Sequence, residues 1–125
     1  MTIGESPGSV GAGAAKEELA VEKAEGDNAF RVAEIFAQAR ELDGQTVRVR
    51  GKVVKVSRMI MGRNWLHIQD GTGDADKRQH DLVATTLDEA RPGEIVTVVG
   101  TVAANRDFGM GYRYEALLEN AKVAR

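Results

Sequence analysis

Between Thr46 and Val56 the chain alternates valine with cation: Val47, Val49 and Val53 against Arg48, Arg50 and Lys52. A period of two with β-branched residues on one side predicts a strand with one buried face. Gly51 precedes the doublet Val53-Val54, which shifts the alternation by one residue. That shift predicts a bulge or sharp bend, letting one long strand serve two sides of a curled sheet. A second strand is predicted over Asn64–Asp70, with Leu66 and Ile68 on one face and Trp65, His67 and Gln69 on the other. The turn Asp70-Gly71-Thr72-Gly73 closes it. A third, short strand follows at Asp81–Thr86. Arg91-Pro92-Gly93 then turns the chain into a fourth, Glu94–Val102, with Val96, Val98, Gly100 and Val102 on one face. A fifth runs from Tyr112 to Glu119, after Gly109-Met110-Gly111. Ahead of the strands, Asn28 is expected to cap a helix whose apolar positions are Phe30, Ala33, Ile35, Phe36 and Ala37, ended by Asp43-Gly44. Five short strands with glycines at the bends predict an all-β, closed or partly closed barrel with a short N-terminal helix.

The first 27 residues break this pattern. Glycines punctuate a stretch of Ser, Ala and Glu with no apolar run, which composition predicts to be a flexible acidic leader. A marginal helical turn over Lys16–Lys23 is the only structure expected in it. The folded domain is then expected to span residues 28–125. A length of 125 residues suits that single domain. No stretch approaches the ~20 apolar residues of a membrane span, and the segment has neither the basic start nor the apolar core of a signal peptide.

Charge changes the picture once the leader is set aside. The chain holds 17 basic and 19 acidic residues; the leader takes two and six, leaving 15 and 13. The net −2 of the whole therefore conceals a slightly basic domain. Arg48, Arg50, Lys52, Lys55, Arg58 and Arg63 all fall between Gln45 and Gln69, where there is no acid. Such a stripe is either a solvated strand face or a surface for an anionic ligand.

Little in the sequence assembles catalytic chemistry. There is no cysteine, no phosphate-binding loop and no serine in a nucleophile-elbow context, so the expectation is a protein that is not an enzyme. Asp70, Asp74 and Asp76, interleaved with glycines, lack the ligand order and terminal Glu of a calcium loop and read as a turn with Asx hydrogen bonds. Met59, Met61 and Met110 with His67 are soft donors of the kind that hold Cu(I), but the same methionines suit the mouth of a barrel. No cofactor or metal is expected. The candidate ligand face is the outer side of the first two strands. There Trp65 and His67 would stack on bases, Arg48, Arg50 and Lys52 would meet phosphates, and Arg58 and Arg63 would lie in the loop above. The alternative places Trp65 in the core and His67 under the leader or a terminal loop. In Phe108-Gly-Met-Gly-Tyr-Arg-Tyr114, Tyr112 and Tyr114 point the same way, either at a loop tip or plugging the end of the barrel.

Three blocks carry a resemblance: Leu42–Val56, Ile60-Met-Gly-Arg-Asn-Trp-Leu-His-Ile-Gln-Asp-Gly-Thr-Gly73 and Asp107–Tyr114. Over about residues 28–123 the chain resembles a group of small bacterial OB-fold proteins described as nucleic-acid-binding or DNA-binding. More distantly, the first strand and the Gln-Asp-Gly pattern are similar to the anticodon-binding OB domains of tRNA synthetases. The resemblance implies a five-stranded OB Greek-key barrel with a leading helix and a ligand face around Trp65 and His67. It also implies export to the periplasm, since such relatives often carry leaders.

Two functions are thus expected. The first is a monomeric binding module for single-stranded DNA or RNA, or another anionic oligomer. The second is an exported accessory module that docks a protein partner, linked to metal or cytochrome proteins, with Met61, Phe108, Met110 and Tyr112 as loop contacts.

Overall fold

The computed structural model describes residues 20–109 and 111–125. Two short helices, α1 (Val32–Ala37) and α2 (Ala39–Leu42), precede five strands: β1 (Thr46–Ile60), β2 (Arg63–Gln69), β3 (Leu82–Thr86), β4 (Ile95–Asp107) and β5 (Arg113–Ala124). The strands form one closed sheet in the order β1-β2-β3-β5-β4, with β4 returning to pair with β1. All pairings are antiparallel except that of β3 with β5. The structure is therefore mostly β, as the alternation predicts.

β1 is the element that closes the sheet. Its first half pairs with β4, from Thr46 opposite Thr101 to Lys52 opposite Ile95, and its second half pairs with β2. The change of partner occurs where the parity was expected to shift. Val53 faces Ile68 and Lys55 faces His67, so Val54 is the extra residue of a bulge. Gly51 is required just before it: a Cβ there would lie 2.5 Å from Ile68 Cγ2 and 2.9 Å from the Gln69 carbonyl oxygen. The strands nevertheless run beyond their expected ends, β1 to Ile60 and β4 to Asp107, because the two hairpins project past the closed part of the sheet.

Inside the ring, Val47, Val49, Val53, Leu66, Ile68, Leu82, Val96, Val98 and Leu118 are at most 1% exposed. Val32 and Ile35 of α1, with Ala39 and Leu42 of α2, plug one end of this core. The helix begins later than expected. Asn28 does not cap it; residues 28–30 run beside β1 instead, with Ala29 bridging Arg48 in parallel. Phe30 N–H donates to the Arg48 carbonyl, and Arg48 N–H donates to that of Asn28.

The N-terminal cap comes from far along the chain. Asp70 Oδ2 accepts from Val32 N–H at 3.0 Å, across 38 residues, and Thr72 Oγ1 accepts from Ala33 N–H at 3.0 Å. Glu34 Oε1 takes the Arg31 N–H at 2.8 Å. Three amide donors at the helix start, which have no partner within the helix, are satisfied in this way. Asp70 Oδ1 also accepts from the backbone N–H and hydroxyl of Thr72, at 3.0 and 2.6 Å. The aspartate turn thus closes with Asx hydrogen bonds as expected, and in addition it anchors the helix. Asp74 likewise accepts from Asp76 N–H and caps a short 3-10 turn, Ala75–Lys77.

Residues 1–19 of the expected leader lie outside the described residues. Its last part, residues 20–27, lies against the domain. Val21 and Ala24 are buried, and Val21 N–H donates to the Asp70 carbonyl at 3.2 Å. Residues 20–25 form no helical turn. The boundary expected at Asn28 therefore falls inside a packed segment. None of the helices among the described residues is long and apolar enough to cross a membrane.

Candidate nucleic-acid interface

The outer face of β1 is built by the same alternation that buries its valines. Arg50 is exposed, and Arg48 and Lys52 are half-buried. Past the Val54 bulge the outer face continues with Lys55, also exposed. The residues paired with these cations are neutral or histidine: Val99, Thr97 and Ile95 on β4, Gln69 and His67 on β2. Arg50, Lys52 and Lys55 form no ion pair among the described residues. Arg48 is less available than its position in the stripe implies. Its Nε is buried without a hydrogen-bond partner among the described residues, beneath the turn at Gly26–Asn28 that runs alongside β1.

Arg58 and Arg63 are not loop residues. The β1–β2 connection is only Met61-Gly62, closed by the pairing of Ile60 with Arg63. Both connecting residues have positive φ, +55° and +79°, which is the type I′ geometry favoured by strand twist. Arg58 pairs with Glu89 at 3.8 Å, whereas Arg63 opens β2 without an ion pair among the described residues.

Trp65 departs most from the stacking expectation. It does lie on the outer face of β2, but it is only 5% exposed. The β4–β5 hairpin folds over it: the Tyr114 ring stacks at 5.9 Å between centroids, and Phe108 meets it edge-on at 5.2 Å. Val83, Leu117 and Ala103 complete a second apolar cluster, separate from the core inside the ring. The indole N–H donates to the Ile60 carbonyl at 2.7 Å, fastening the base of the β1–β2 tip. With its faces covered and its donor occupied, Trp65 is a packing residue of the outer surface. The exposed-platform expectation fails for Trp65; the alternative that buries it in a core holds, the core being this second cluster.

His67 is also engaged. Its Nδ1 lies 2.9 Å from Asp81 Oδ2, and both side chains are partly exposed. It stands between Lys55 of β1 and Val83 of β3. Burial raises the Tyr114 hydroxyl pKa, helped by Tyr112 and the Asp81 carboxylate. Stacked on Trp65 in the outer cluster, Tyr114 does not plug the end of the sheet. Tyr112 is exposed at the hairpin tip, where Phe108 N–H donates to the Tyr112 carbonyl. Met110 lies outside the described residues. Met59 and Met61 are exposed at the other tip. Among the described residues no group of three or more His, Asp or Glu is placed to hold a metal ion.

The apolar cover over Trp65 was missed from the sequence. Its signal was the apolar content of nominally outward positions: Trp65 on β2, Val83 on β3 and Leu117 on β5. The chain matches no family model and none of the curated proteins compared with it.

Proposed function

We propose that the chain is a non-enzymatic binding module of the OB type, taking single-stranded nucleic acid or another anionic oligomer along the outer face of β1. The strand order β1-β2-β3-β5-β4 and the parallel β3–β5 pair support the OB reading. The observation that carries the ligand reading is the run of unpaired cations. Arg50, Lys52 and Lys55 line one strand face with no carboxylate opposite any of them. Like charges so placed repel one another, and a polyanion relieves that repulsion. Stacking falls to Tyr112 and the partly exposed ring of His67, since Trp65 is covered.

Fluorescence anisotropy of a labelled oligothymidylate tests this. Three phosphate contacts predict a slope of about −2 in log K against log salt for a single strand. Reversing charge with Arg50→Glu and Lys52→Glu should abolish binding. A salt-independent affinity, or one unmoved by these substitutions, refutes the reading.

One observation favours docking of a protein partner instead. Met59, Ile60, Met61 and Tyr112 are 66, 41, 48 and 46% exposed at the two hairpin tips. Met59 and Met61 moreover hold φ of +52° and +55°, a costly conformation for methionine. Under this reading, Met61→Asp and Tyr112→Asp remove partner binding while the charge reversals leave it intact.

A further inference from the structure

A second basic feature lies away from the β1 face. A cleft of ≈ 290 Å³ opens between the β1–β2 tip, the end of β3 and the second half of β5. Gly62, Arg63, Thr86, Leu87, Asn120 and Lys122 line it, and among the described residues no carboxylate does. Neither Arg63 nor Lys122 has an ion-pair partner among the described residues, and the Asn120 side-chain amide makes no hydrogen bond there. Carboxylates in the adjoining segments are already committed. Asp88 accepts from Val123 N–H at 2.8 Å, Glu119 pairs with Arg106 at 2.7 Å, and Glu89 pairs with Arg58.

Two backbone irregularities bring these cations together. On β5, Glu119 faces Thr101 and Lys122 faces Val99, so Asn120 and Ala121 together oppose only Gly100. Asn120 takes the left-handed conformation, φ +53°, and its N–H donates to Thr85 Oγ1 at 3.3 Å. The bulge changes the parity of β5, so Ala121 packs in the core while Lys122 is exposed. Had the alternation run unbroken from Leu118 through Asn120, Lys122 would point into the ring. The type I′ turn at Met61-Gly62 places Arg63 on the opposite wall. Bulges of this kind commonly re-aim a side chain at a binding site.

We propose that this cleft binds the phosphate group of a phosphate ester. Arg63 supplies a planar fork of donors, Lys122 a second positive charge, and Asn120 an amide donor. Leu87, 75% exposed, offers an apolar wall to the organic part of the ester. The volume suits a group of mononucleotide size or smaller. This site shares no residue with the Arg50, Lys52 and Lys55 face, so it stands whether or not that face binds an oligomer.

Amide NMR titrations of the full chain provide the test, using inorganic phosphate, a nucleoside 5′-monophosphate and an oligothymidylate. Saturable shifts are expected at Gly62, Thr86, Asn120 and Lys122 with the first two probes, at about millimolar affinity. Lys122→Gln, at an exposed position, should weaken that binding about tenfold, and Arg63→Gln likewise. The double variant Arg50→Gln with Lys52→Gln should leave it unchanged. Competition by the oligothymidylate for the same amides identifies a backbone phosphate as occupant; absence of competition identifies a free phosphate ester. Shifts that do not saturate, that fall elsewhere, or that survive Lys122→Gln undiminished overturn the proposal.

Discussion

The two faces of the closed sheet are held by different chemistry. Inside, the core is aliphatic, packed from Val, Leu, Ile and Ala, with Phe30 and Phe36 only at its margin. Outside, the apolar cluster is aromatic: Trp65, Phe108 and Tyr114 around Val83 and Leu117. The inner face is closed on itself and needs interdigitating, volume-matched side chains. The outer face is closed by a single hairpin folding back, so its three aromatic rings do the work of a covering layer. Closure of the ring and covering of the outer face are thus separable, and the hairpin that provides the cover also carries the exposed Tyr112.

Substitutions on the two faces should separate them. Leu66→Ala, fully buried inside the ring, is expected to cost about 2–5 kcal/mol in denaturant unfolding. A smaller loss would mean that the interior collapses around the cavity. Asp70→Ala removes the remote cap and is expected to cost about 2–3 kcal/mol. Amide exchange should then speed up first at Val32 and Thr72, whose N–H groups it leaves without a partner. Phe108→Ala strips part of the outer cover for about 1–2 kcal/mol, with Trp65 emission shifting to the red and iodide gaining access to the ring. Should it destabilise as much as Leu66→Ala, the two clusters form one cooperative core and the comparison fails.

Met61→Asn relieves the left-handed methionine in the type I′ turn and should stabilise by about 1 kcal/mol, read as a raised Tm. Glu34 supplies the smallest effect. The Arg31 N–H, with Lys23 at 3.4 Å, holds its carboxyl below the usual value of 4.5. A carboxylate depressed in the folded state contributes stability above pH 4.5, which is lost as pH falls through the lower folded value. A Glu34→Gln variant should lose less stability than the parent across that interval.

Much of the ring was legible because strand alternation is a local property. Val47, Val49 and Val53 announce a buried face, and the Val53-Val54 doublet marks the bulge at the point where β1 changes partner. The stripe of cations on the opposite side follows from the same period. The helix cap was not legible. Asn28 is a good local cap, yet Asp70 does the work from 38 positions away, because a buried carboxylate fixed at the end of β2 already sits beside the helix start. The fate of Trp65 was equally hidden. Alternation says which side of a strand a residue is on, and it says nothing about what another element lays over that side.

The sequence by itself determined a mostly β fold, its bends, and which side chains line the inside of the sheet, since each depends on periods and turns of a few residues. Only the tertiary structure decided which cations are free and which aromatic rings are covered. Arg58 is paired by Glu89, Arg48 has its Nε buried beneath residues 26–28, and Trp65 is sealed under Phe108 and Tyr114. Each of those outcomes depends on contacts between segments distant in the chain. Whether a charge or a ring can meet a ligand is a property of what surrounds it in space.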